Sequence, residues 1–558
     1  MNVPYPPDDP AGQPGRVAPG FLEVAALTAR TVAQLRPAQV AHRARLRTLR
    51  VADRRWPSTV THPISSRHEH PPGWPGGYQP VAAGFDHGDP RRIAAGDFSL
   101  IGEDRRLGDP ADWHQASASR LWRFHLHYME WAWALCRCTD RDWSRSAFAN
   151  LWSSWRSATS AGDRDAWSPY VASLRLWMLC AVFDALVEGT GIEDDVVGQI
   201  AWHAGYVRSH LELDVGGNHL MKNLKALAGA GVFLGRDDLV GFAKAQLEGQ
   251  LGVQVLADGG HYERSPSYHC QVLEDLIDVR ALLAAAGKQP SESLTKSIEA
   301  MRAWLGTMVG SDGEVAQFND AVPVGADRIA ALKPSPPPNG PLVVLGDSGY
   351  IVLRPDDRVQ MICDVGVPCP RDLPAHAHAG CLSFEMYLDG QKVVVDTATS
   401  TYEPGPRRTY ERSTQAHSTV EVDGKDQSEV WGTFRAARRA RPTLERVVVE
   451  EGRITVVGSH DGYRRLYGSP THRRRWSASP GSLLVEDEVT GTGRCKVVSR
   501  LYIAEQAAGL AITGLGGPVS VEDCTVAQGF GQTQHASRYL IDSGGGQLPV
   551  TLSWRLEW

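Results

Sequence analysis

The chain has 558 residues, a formal charge of −6, 42% hydrophobic and 22% charged residues, which leaves room for two large domains and excludes disordered, collagenous and coiled-coil proteins. With no global basic excess, nucleic acid is not an expected partner, and with no apolar run of about 18 residues neither is membrane insertion. The nine cysteines are odd in number and lack paired CxxC spacing, which argues against a zinc ribbon and a disulfide framework.

Residues 1–20 are rich in Pro and Gly and read as a disordered N-terminus. They show no basic stretch leading into an apolar one, so a cytoplasmic location is expected, with unconventional export as the alternative. Residues 21–110 read as a lead-in helix, with Leu22, Ala25, Ala29 and Val32 at helical spacing, followed by an irregular wrapping segment dense in Pro, Gly, His and Asp. Residues 111–338 hold successive amphipathic helices such as LWRFHLHYMEWAWAL and PYVASLRLWMLCAVFDALV. Helical hairpins in series give an α-toroid or a solenoid. Ten of the 17 Trp lie between Trp113 and Trp202; most belong in a core, and a surplus along a groove would suit sugar-ring stacking. PSPPPNGP marks the boundary, and residues 339–558 fall to a period of two between Gly, Asn and Asp turns. That pattern predicts an antiparallel β-sandwich and an α+β multidomain chain.

Three segments gather chemistry. GGNHLMKNLKALAGAGVFLG puts Asn218 at an expected N-cap, above a stripe of Leu220, Leu224, Leu227 and Gly231. A helix N-terminus suits a substrate carboxylate, with the Asn218 amide or His219 as side-chain donor; a plain cap is the bland alternative. LADGGHYERSPSYHCQVLEDL clusters Asp258, His261, Glu263, Arg264, Tyr268 and His269 before a helix. A Tyr there can carry protons only if a cation such as Arg264 or a protonated His stabilises its phenolate. In the third segment His376 and His378 are two apart, Asp396 ends the next strand and His417 begins another. If those strand ends converge, His378, Asp396 and His417 supply donors that suit zinc and leave His376 free to face substrate; structural histidines are the alternative. Arg407, Arg408, Arg412, Arg435, Arg438 and Arg439 flank the region and offer forks for carboxylate or sulfate.

Taken together, NHLMKNLKAL, DGGHYERSPSYH, HAHAGCLSFEMYLDGQKVVVDT, TYERSTQAHSTVEVDGKDQSEVWGTF and GYRRLYGSPTHRRRW resemble the heparinase II/III family of polysaccharide lyases from roughly residue 115 onward. The resemblance implies an incomplete (α/α) toroid followed by an antiparallel β-sandwich, and eliminative cleavage of uronic-acid polysaccharides. It implies Asn218, Tyr268 and His376 as catalytic residues, and His378, Asp396 and His417 as ligands of a structural divalent metal, zinc by donor type. It also implies His460 as a substrate contact, while His219, Arg264, Arg408 and Arg412 are expected contacts from their donor chemistry; no organic cofactor is expected. One departure stands out: many members read HxHAD, and here the acidic position is Gly380.

The C5 proton of a uronate is a poor acid until its carboxylate is neutralised, a task that falls to Asn218 and the helix end. If base and acid act on one sugar face, Tyr268 does both; if on opposite faces, His376 is the base and Tyr268 the acid. A toroid glycoside hydrolase using Asp258, Glu263 or Glu274, and a non-catalytic carbohydrate-binding protein, are the competing readings.

Overall fold

The computed structural model describes residues 3–4, 20–56 and 61–558. The expected disordered N-terminus lies outside these residues, apart from Gly20 and a short strand, Val3–Pro4, that pairs with Gln532 and Thr533. The lead-in helix is two helices, Phe21–Val32 and Pro37–Arg55, with Pro37 starting the second. Proline at the first helical position has no N–H to satisfy, so it restarts a helix where an interior one would break it. Among the described residues no helix is long and apolar enough to cross a membrane.

The chain forms two compact units that do not follow its linear order. One comprises Arg36–Gln254 and Gln271–Ile298, the other Met1–Leu35, Val255–Cys270 and Glu299–Trp558. The first is the helical toroid. Its helix Gly217–Phe233 is buried at every position but His219 and packs against Pro169–Ala181 and Asp237–Gln254. A single apolar stripe does not describe it. Glycine and alanine let neighbours approach closely: a Cβ on Gly229 would come 2.8 Å from the Trp177 ring, and one on Gly231 would come 2.8 Å from Val240. The tryptophans Trp122, Trp152 and Trp155 are fully buried, which places them in the core.

The second unit holds, among the described residues, a ten-stranded and a six-stranded antiparallel sheet. The six-stranded sheet shows the expected alternation. In Thr471–Ser479 the inward residues are His472, Arg474, Trp476 and Ala478. Strands Val359–Asp364, Phe384–Leu388 and Val497–Ala504 are instead buried on both faces. Between the sheets lies an apolar core that includes Ile351, Phe384, Trp476, Leu501 and Trp554.

The loop and helix start of Val255–Cys270, with the segment from Glu299 onward, belong to this β unit and carry Glu263, Tyr268 and Asp320. Glycine is required within that loop. Gly259 has φ +87°, and a Cβ there would meet the Ala300 carbonyl at 2.2 Å.

Candidate active site

The sequence places Tyr268 in the first turn of the helix Pro266–Ala285. Its hydroxyl lies 2.9 Å from that of Tyr402, and its ring faces the His376 imidazole with centroids 3.9 Å apart. Burial pushes the Tyr268 phenol up. His376 is held from both sides, with Nε2 3.0 Å from Glu263 and Nδ1 3.1 Å from Asp320. Burial opposes a charge on this ring, but the Asp320 and Glu263 carboxylates outweigh it and push the imidazole up to about 9. Both nitrogens therefore donate, and His376 is an imidazolium with no lone pair to offer a substrate.

Asp320 organises the cluster. Besides His376 it accepts from His378 Nε2 at 2.8 Å, from Thr399 Oγ1 at 3.1 Å, and from both arms of the Arg408 guanidinium at 2.5 and 2.7 Å. Burial alone would favour its neutral acid; Arg408 and the two imidazoles hold the carboxyl well below the usual range. A buried carboxylate with a bidentate guanidinium and two further N–H donors has its desolvation offset, which an isolated one would not.

Several expected roles change in this geometry. Arg408 is buried beneath Tyr402 and Phe434 and is spent on Asp320, so it is a counter-ion and not a substrate contact. Arg412 is buried and donates to the carbonyls of Ala377, Gly432 and Arg435, clamping the peptide between His376 and His378. Arg264 donates to the carbonyls of Ser348 and Asp347. Arg407 bonds Glu411 and Thr525, and Arg439 bonds the carbonyls of Pro370 and Arg371, so much of the expected basic rim braces this chain's own loops. His460 is 1% exposed inside the sandwich. Its Nδ1 accepts the Gly462 N–H, its Nε2 meets His472 Nδ1 at 3.2 Å, and His472 Nε2 meets Asp487 at 2.8 Å. It is a structural histidine. Asp258 accepts from Ser348 and Gly260, which ties the loop down.

The expected metal ligands pair off. Asp396 accepts from His417 Nδ1 at 2.7 Å and from the Ala398 N–H at 2.9 Å, while His378 Nε2 donates to Asp320. His378 Nδ1 and His417 Nε2 are buried without a hydrogen-bond partner among the described residues, on rings 5.3 Å apart. Two imidazole lone pairs do not complete a structural zinc site, which takes four ligands. Among the described residues no group of three His, Cys, Asp or Glu side chains is arranged to hold a metal ion. Gly380 explains part of this packing: a Cβ there would come 2.9 Å from the His417 ring, which fills the space beside it.

In the helical unit, Gly216 is the N-cap and Asn218 lies inside the first turn, 2% exposed. His219 Nδ1 meets Glu212 at 3.1 Å and its ring faces Tyr170, centroids 4.3 Å apart. Sequence reasoning missed Asp320 and Tyr402. Asp320 is 56 residues from His376 and sits in FNDAV, a stretch with no pattern of its own.

Two family models match consecutive parts of the chain: heparinase II/III N-terminus over residues 101–333 and heparinase II/III-like, C-terminal, over residues 337–557. FtsZ-localized protein C of Caulobacter vibrioides is 28% identical over 418 residues, covering 72% of this chain and 70% of that protein. The crystal structure of heparinase III superposes with a TM-score of 0.72 at 15% identity, over 93% of this chain and 89% of its own. Heparan sulfate lyase HepC from Pedobacter heparinus gives a TM-score of 0.56 at 16% identity, over 93% and 88%.

Proposed function

This chain belongs to the heparinase II/III-like family, and we propose that it is a polysaccharide lyase that cleaves a uronic-acid polymer by β-elimination. The observation that carries this reading is the Tyr268 phenol, hydrogen-bonded to Tyr402 and in tilted ring contact with the His376 imidazolium. A phenolate needs a cation beside it, and His376 supplies one on the ring face. Tyr268 is then the group that takes the C5 proton and returns one to the O4 leaving group, while His376 acts electrostatically. This is the one-face form of the reaction, because a doubly bonded His376 has no lone pair for the opposite face. Asn218 and His219, at the start of their helix, are proposed to meet the substrate carboxylate. No step is routed through a metal.

The hydrolase reading loses support, since Asp258 is tied to Ser348 and Gly260 and Glu263 to His376. A binding protein that keeps the fold without catalysis is the second reading, favoured by the same closed hold on His376. Incubation with a panel of acidic polysaccharides separates the readings. Ultraviolet absorbance from an unsaturated uronate, rising with new reducing ends, supports elimination; reducing ends without absorbance reject it, and neither signal on any polymer favours binding alone.

A further inference from the structure

We propose that the β unit carries a second saccharide site, sharing no residue with the Tyr268–His376 cluster, that takes an uncharged sugar bearing an acetamido group. A cavity of about 350 Å³ opens there, within the size range of small-ligand pockets. It is walled by the turn carrying Asp312 and Glu314, by Lys392, and by the antiparallel strands Val519–Gly529 and Gln532–Asp542, which contribute Gln528 and Gln534. Gln534 stands opposite Val526 in the strand register, and Gln528 is the additional residue of a bulge between Ala527 and Gly529. Residues two apart in a strand share a face, so Gln528 lines the cavity beside Val526 and Gln534.

The polar capacity of this wall is amide in character. Gln317 lines the cavity, is 7% exposed, accepts from Lys392 Nζ at 3.3 Å, and leaves its own Nε2 without a hydrogen-bond partner among the described residues. Each glutamine offers one acceptor and two donors, the complement of an acetamido group and of ring hydroxyls. The charges are largely committed elsewhere. The Lys392 ammonium lies 3.2 Å from Glu385, Asp312 Oδ1 accepts the Glu314 N–H at 3.0 Å, and Asp396 accepts from His417 and Ala398. Burial pushes the Glu314 carboxyl up, with Asp312 adding to it against Lys392. Among the described residues the one cation on the wall is Lys392, and Glu385 neutralises it, so these residues do not offset a uronate or sulfate. Three carboxyl side chains around it, Asp312, Glu314 and Asp396, repel both.

The test uses the full chain and three monosaccharide probes: methyl N-acetyl-glucosaminide, glucuronate and glucosamine. Saturation-transfer NMR and calorimetry should show saturable binding of the acetamido sugar, weakened about tenfold or more in Gln528→Ala/Gln534→Ala, as expected for losing paired hydrogen bonds. Gln506→Ala, at an exposed position of the same wall, serves if the double variant does not fold. Glucuronate or glucosamine binding more tightly than the acetamido sugar would overturn the proposal, as would absence of acetamido-sugar binding, or binding that the variants leave intact. The site stands independently of elimination: Tyr268→Phe should leave acetamido-sugar binding unchanged.

Discussion

The His376 imidazole lies against the face of the Tyr268 phenol, ring centroids 3.9 Å apart. The pairing places a cation where a phenolate would form, and on that ground Tyr268 is proposed as the proton carrier of the site. Replacing the phenol by phenyl keeps this ring contact and removes only the hydroxyl. Tyr268→Phe should therefore lower elimination by about 100- to 10,000-fold, the usual worth of a positioned acid or base. Tyr402→Phe, which removes only the 2.9 Å partner of that hydroxyl, should cost less. Retained activity in Tyr268→Phe, measured as unsaturated product per minute, would sink the assignment.

Asp320 holds Arg408, His376 and His378 at once, and both Asp320 and Arg408 are buried. Removing its charge leaves a buried guanidinium uncompensated. Asp320→Asn should destabilise the protein by about 3–5 kcal/mol in urea denaturation. Removing both charges in Asp320→Asn/Arg408→Met should recover part of that loss, because no buried guanidinium is then left without its counter-charge. A double variant no more stable than the single one would show that the pair is not the source of the cost.

The architecture was legible because period and punctuation are local. Helical spacing before residue 334 and alternation after it reproduce the toroid and the sandwich. Tyr268 and His376 were legible as a pair because titratable groups clustered around each. The hub was not. Asp320 matters only because folding brings it to two histidines more than 50 residues away, and no local pattern reports such a meeting. The arginines misled for the same reason. In the sequence Arg408 and Arg412 look like an exposed basic rim, and only the fold shows that one is buried on a carboxylate and the other on backbone carbonyls. His460 follows the same logic, since its position on Arg453–His460 turns it into the sandwich beside His472.

Zinc binding tests the pairing of His378, Asp396 and His417. Asp396 accepts one hydrogen bond on each oxygen and His378 donates through Nε2, so only the two imidazole nitrogens, His378 Nδ1 and His417 Nε2, are without a partner among the described residues. Zinc added to the metal-free protein should bind more weakly than at a four-ligand structural site, and a chelator should leave the urea midpoint unchanged. Stoichiometric zinc surviving dialysis, together with a chelator-induced fall in the midpoint, would show that the side chains rearrange around an ion.

Acid should destabilise the protein through histidines buried as neutral rings. Burial holds His261 at about 4 and His269 at about 3, and it holds His460 well below 6.5. In the unfolded chain each titrates near 6.5. A folded-state value below the unfolded one means that the unfolded chain binds more protons. The stabilisation is whole above about 6.5 and is lost progressively as pH falls toward 4 and 3. His376 has the opposite sign. Pushed up to about 9 by Asp320 and Glu263, it stabilises the fold fully below about 6.5 and loses that contribution as pH rises through about 9. Urea midpoints measured across this range should form a dome, falling steeply on the acid side where several rings act together and more gently on the alkaline side where His376 acts. His376→Gln should flatten the alkaline limb and leave the acid limb in place; an alkaline limb that persists in that variant would remove His376 as its source.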